Sequence, residues 1–297
     1  MLIVCMTEDG SIHRTRITEL KQNKQTFFKG WYCETGLHSV SIKVRGAIRN
    51  TICRQPNENR ICEIRNCWCG ADMHIPKAID EPTLKLFKTR VKELDPNTIP
   101  RYKQGTLVAV GRHDKVLENE FNIDWNILRR CNYDCSYCPP RIHDNNSPYP
   151  EIQTLKDTYN KLDIPEGRDI TITLTGGEPT LWADLLDFVI WLKAQRTNTR
   201  IEILTNGTAS IRKMIALHKE TDFVISLHHE YFTDKFFAKI ESFLDQTPYN
   251  NRVDFKSYEY GDTIDFQNKI SKHNFVGFSS NIPIVNKDTG VWDNENT

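Results

Sequence analysis

Between residues 129 and 140 the chain reads RRCNYDCSYCPP, which sets Cys131, Cys135 and Cys138 within eight positions. Three thiols are an odd number for disulfides and one short of the four that close a structural zinc site. They suit a [4Fe-4S] cluster in which three irons are held by thiolates and the fourth stays open to another ligand. A second group, Cys33, Cys53, Cys62, Cys67 and Cys69, lies before residue 70, and Cys5 stands apart near the start. No cysteine falls between 70 and 130, so two separate centres are expected. Clustered thiols in a reducing compartment more often bind metal or do redox chemistry than form disulfides. The opening MLIVCM has no basic flank and ends at Thr7, Glu8 and Asp9, so it does not read as an export signal, and the cytoplasm is the expected location.

The elements that must position the triplet follow from hydrophobic periodicity. FNIDWNI alternates Phe121, Ile123, Trp125 and Ile127 as a strand does, and it runs directly into the cysteines. DITITL (169 to 174), IEIL (201 to 204) and FVISL (223 to 227) are short β-branched strands. Helices are expected at Leu155, Tyr159 and Leu162, at 185 to 193, at 211 to 218, and over Phe236, Ile240, Phe243 and Leu244. RVDFKSY and NFVGFS supply a fifth and a sixth strand, with a helix at 264 to 270 between them. Strands alternating with helices imply parallel strands joined by crossovers, with chemistry at the strands' C-terminal ends. The expected class is α/β: a partial (β/α)6 barrel over 119 to 297, a linker or arm over 78 to 118 that holds one short helix, and a small Cys-rich α+β metal-binding domain over 1 to 77. The polar tail after Val285 is expected to fray.

The spacing Cys131-x3-Cys135-x2-Cys138, with the aromatic Tyr137 just before the last cysteine, resembles the signature of the radical S-adenosylmethionine (SAM) superfamily. LTGGEPTL (174 to 181), at the end of the second strand, resembles that family's Gly-Gly-Glu motif. The resemblance implies that Gly176 and Gly177 bring backbone close to SAM, that Glu178 receives its amino group, and that Asn206 in ILTNGT and Ser226 in ISLH stand near the cofactor, Ser226 towards the ribose. His228 and His229 follow at the barrel mouth and are candidates to touch substrate. Taken singly, the glycines also read as an ordinary turn, Glu178 as a solvated acid at a helix start, and Ser226 as a buried strand serine. The family chemistry implied is reductive cleavage of SAM to a 5′-deoxyadenosyl radical that abstracts hydrogen from substrate.

GWYCETGLHSVSIKVRGAIRNTIC places twelve residues between Cys33 and Gly46 and six between Gly46 and Cys53, around a β-hairpin turning near Gly46. This looks like the half-site of SPASM and twitch domains, although those follow the barrel and this stretch precedes it. The resemblance implies an auxiliary [4Fe-4S] cluster on Cys33, Cys53, Cys67 and Cys69, with Cys62 as an apolar strand residue. Zinc fits the same four thiolates.

Lys plus Arg equals Asp plus Glu at 39 each, without like-charge blocks, which argues against gripping a nucleic-acid backbone. No apolar run reaches the length of a membrane span. The implied partners are a peptide, protein or small-molecule substrate and an electron donor such as flavodoxin or ferredoxin. The rival class is a non-catalytic iron-sulfur or zinc-binding module that recognises RNA or a partner protein.

Overall fold

A computed structural model describes residues 3–34, 39–49, 61–62, 75–113, 120–138, 143–247, 251–257 and 276–281. Cys53, Cys67, Cys69, the helix expected at 264 to 270 and the tail after Val285 lie outside the described residues. The chain forms two compact units, one built mainly from the residues before 123 and one mainly from those after.

The first unit centres on β1 (Ile3–Thr7), buried at every position and antiparallel to both β2 (Ile12–Thr15) and β7 (Leu107–Arg112). With β3 (Tyr32–Cys33) and β6 (Lys77–Ala78) the sheet order is β2-β1-β7-β6-β3. Alternation along β1 sends Val4 and Met6 into one core and Ile3 and Cys5 into another, as a period of two requires. Short helix α1 (Ile17–Gln22) contributes Leu20 to the second core, where Cys62 also packs. Helix α2 (Glu81–Lys92) covers the first. Asp80 caps it by accepting from Thr83 N at 2.7 Å, Pro82 sits in its first turn, where no N–H is needed, and Leu84, Phe87 and Val91 make its buried stripe.

The helix expected between 78 and 118 is therefore present, but this stretch is not a linker. Its TLVAVG run is the interior strand β7, and Pro82 starts a packed helix instead of marking a spacer. A short apolar run buried on both faces shows no alternation, which is why periodicity passes over it. The expected hairpin forms from β4 (Ser39–Ile42) and β5 (Ile48–Arg49). Gly46, at φ +75°, supplies the left-handed turn and donates to Lys43 O at 2.7 Å.

In the second unit, β8 (Glu120–Leu128), β9 (Asp169–Gly176), β10 (Thr199–Thr205), β11 (Asp222–His228), β12 (Arg252–Ser257) and β13 (Val276–Asn281) lie side by side in chain order. Pairing from β9 to β13 is parallel, with Ile203 opposite Leu174 on one side and Phe223 on the other. Among the described residues, β13 forms one edge of this sheet. Crossover helices α3 (Ile152–Tyr159), α4 (Leu185–Gln195), α5 (Ile211–His218) and α6 (Asp234–Gln246) separate the first five strands. Trp125 from β8 meets Phe188 of α4 edge-on at 5.4 Å, and Phe223 of β11 meets Phe243 of α6 at 5.6 Å. In α6 the buried stripe is Phe237, Ile240, Phe243 and Leu244, at helical spacing, and Phe236 stands at its edge, half-buried. No helix among the described residues is long and apolar enough to cross a membrane.

Candidate cluster and cofactor site

Strand β8 ends at Leu128, and the chain passes into the cysteine loop along a segment held from two sides. On one side Cys131 N donates to Asp144 O at 2.7 Å and Asp144 N to Arg129 O at 3.0 Å. On the other, Gly177 N donates to Leu128 O at 2.9 Å and Glu178 N to Arg130 O at 2.8 Å. The end of β9 thus lies directly against the entry to the loop. A Cβ at Gly176 would collide with Leu128 O, and one at Gly177 with the carbonyl oxygens of Arg129 and Arg130. Gly176 also has φ +133°, which side chains rarely adopt. The two glycines are required by the chain's own packing before any ligand is considered.

The C-terminal ends of β9, β10 and β11 and the cysteine loop surround one pocket. Cys131, Cys135, Tyr137, Cys138, Gly176, Gly177, Asn206 and Ser226 all line it, and so do Tyr133, His143, Thr175, Leu204, Thr205 and His228. Cys135 is buried and Cys131 and Cys138 are half-buried, all three as free thiols. Burial is the main cause that raises them, Cys135 to about 12 and Cys138 to about 11, with Cys131 raised as well. Neighbouring acidic groups, Glu230 for Cys135 and Asp134 for Cys138, add to the rise. Neutral thiols in such a pocket release protons when they become ligands.

The donor set fits an iron-sulfur cluster. Three free thiols face one pocket, and each of three irons of a cubane takes its own thiolate, which leaves the fourth open.

Glu178 lies behind the pocket wall. Its carboxylate is fully buried and does not line the pocket. It accepts from Thr180 N at 3.0 Å, Thr180 Oγ1 at 2.5 Å, Thr205 Oγ1 at 2.6 Å and Asn206 N at 2.6 Å. Burial pushes this carboxyl up against the downward pull of those four donors. Lys213, donating to Trp182 O at 3.0 Å, and Lys239, donating to Gly207 O at 2.8 Å and Thr208 O at 3.0 Å, are lowered by burial and drawn partly back by the Glu178 charge. Glu178 therefore ties the end of β9 to the end of β10 and fixes Asn206. The Asn206 amide donates to Asn132 Oδ1 at 3.0 Å, which links β10 to the cysteine loop.

Ser226 is buried at the pocket wall. Tyr137 stacks on His228 at 5.8 Å and 15°, with its hydroxyl hydrogen-bonded to His228 Nδ1. His229 is exposed and lines no part of the pocket. Sequence reasoning also misses His143, Asp144 and Tyr133, whose partners are set by loop packing and leave no periodic signal. In the first unit, Cys33 is buried on β3 and paired in register with Lys77, while Cys62 sits in an apolar core.

Comparison with known proteins bears on the second unit. The chain is 29% identical over 158 residues to Molybdenum cofactor biosynthesis protein 1 of Bos taurus, covering 52% of this chain and 24% of that protein. It is 32% identical over 83 residues to GTP 3′,8-cyclase of Campylobacter jejuni subsp. doylei and 36% over 83 residues to that of Nautilia profundicola, in both cases 27% of this chain and 26% of the relative. The match thus spans about a quarter of each relative's length. Residues 125–291, more than half of the chain and including the triplet and the Gly-Gly-Glu strand end, match the family model of the Radical SAM superfamily, and the chain belongs to that superfamily.

Proposed function

We propose that this chain is a radical SAM enzyme in which Cys131, Cys135 and Cys138 hold a [4Fe-4S] cluster beside bound SAM. The observation that carries the reading is the convergence of three free thiols with the ends of β9, β10 and β11 on one pocket. When bound, the reduced cluster and SAM supply a 5′-deoxyadenosyl radical that takes a hydrogen atom from substrate. The chain's own residues position and shield. The backbone of Gly176 and Gly177 offers the edge that meets the SAM amino group. Glu178 would act on that amino group through its hold on Thr205 and Asn206, while Ser226 would face the ribose. Tyr133, Tyr137 and His228 line the site and would shield it from water, which strengthens the electrostatics inside.

The substrate class proposed is a peptide, protein or small molecule; GTP, which the cyclases' names carry, is one small molecule to test. A flavodoxin or ferredoxin is the proposed electron donor, and a reducing cytoplasm suits the free thiols. Cys33 with Cys53, Cys67 and Cys69 is proposed as a second centre holding a [4Fe-4S] cluster or zinc. The test is anaerobic reconstitution followed by reduction with SAM present. Release of 5′-deoxyadenosine by the parent and its loss, with the cluster absorbance, in a C131A/C135A/C138A variant are expected. A parent that binds iron at the triplet but leaves SAM intact under strong reductant sinks the enzyme reading and favours a binding module.

A further inference from the structure

The cysteine loop is gripped by a turn about ninety residues further along the chain. Just past β11, His229–Tyr231 form one turn of 3-10 helix. The Glu230 carboxylate accepts from Ser136 N through both oxygens, at 3.1 and 2.9 Å, and from the Ser136 hydroxyl. Tyr231 Oη accepts from Asp134 N at 2.9 Å, and its ring stacks flat on Tyr133 at 3.9 Å and 6°. The two amides so engaged flank Cys135. From these contacts we propose that Glu230 and Tyr231 are positioning residues that clasp the cysteine loop and set the ligand geometry at Cys135.

The inference rests on the cluster assignment above. An amide next to a ligand cysteine otherwise turns towards cluster sulfur or water, and hydrogen bonds to sulfur shift a cluster's potential. Glu230 instead draws the Ser136 N–H and hydroxyl to its own carboxylate. The bonds it accepts are charge-assisted, the strong class, and both donors belong to Ser136. The clasp also joins the loop to the strand that carries Ser226 and His228, so ligand geometry and the pocket wall are fixed together.

The test uses the cluster-loaded protein and E230A, E230Q and Y231F variants, with thermal melting to confirm that each folds. E230A should release iron to a chelator about tenfold faster than the parent and show an altered electron paramagnetic resonance spectrum for the reduced cluster. E230Q keeps an acceptor oxygen in the same place and should restore iron retention to within about threefold of the parent. Y231F keeps the ring stack, loses the acceptor and should fall between E230A and the parent. A loaded parent with E230A and Y231F matching it in iron release and spectrum overturns the clasp while the cluster assignment stands. A parent that takes up no iron at the triplet overturns the cluster assignment and the clasp with it.

Discussion

Gly177→Ala places a methyl group where the carbonyl oxygens of Arg129 and Arg130 already stand. Both oxygens are main-chain atoms of the segment entering the cysteine loop, so neither can swing aside as a side chain can. Relief requires β9 to move off that segment, which breaks the bonds from Gly177 N to Leu128 O and from Glu178 N to Arg130 O. Overpacking costs about 1 to 3 kcal/mol. Each of the two broken bonds, which leaves its donor unpaired in a sheltered place, adds about 1 to 3 kcal/mol. The expected loss is about 3 kcal/mol or more, against a total stability of about 5 to 15 kcal/mol for a folded domain. Urea unfolding of the metal-free protein without SAM isolates this term, because no ligand can then contribute. A variant within about 1 kcal/mol of the parent refutes the packing argument and leaves the glycine to be explained by ligand approach alone.

Removing the acceptor at Glu178 should also act on the fold. Glu178→Ala strands four donors and should lower the melting temperature and the iron uptake together, while Glu178→Gln, which keeps one acceptor oxygen, should lose less; an alanine variant as stable as the parent contradicts the buried-bracket role. Cys5 provides a pH dependence: burial pushes its thiol up to about 12, above the about 8.5 of an unfolded thiol. The unfolded chain therefore loses this proton first, and stability should fall as pH rises from about 9, by up to about 1.4 kcal/mol per pH unit. Cys131, Cys135 and Cys138, also raised, share in that slope, so Cys5→Val should lessen it without abolishing it in denaturant titrations of the metal-free protein between pH 8 and 10, and an unchanged slope rules Cys5 out as a source. In the C131A/C135A/C138A variant the second centre should remain, as about four irons with sulfide if it is a cluster or one zinc if it is structural. Absence of metal together with alkylation of Cys33 in the folded variant removes the second centre.

What the sequence by itself determined is what depends on neighbours in the chain. Strand and helix alternation places β8 to β13 and the four crossovers between β8 and β12, because periods of two and 3.6 are written residue by residue. The triplet needs eight positions to declare its chemistry, and the turn at Gly46 follows from one glycine between two strands. Contacts between distant segments were decided by the tertiary structure. Residues 78 to 118 read as a linker until β7 is seen between β1 and β6, since a strand buried on both faces has no alternation to display. That Thr205 and Asn206, at the end of β10, donate to the Glu178 carboxylate is visible only once β10 lies beside β9. The glycine pair reads as room for a ligand, yet it is first room for the carbonyls of residues 128 to 130. Glu230 carries no signal in the sequence at all, because its meaning lies in Ser136, which only the return of β11 beside the cysteine loop brings within hydrogen-bond reach.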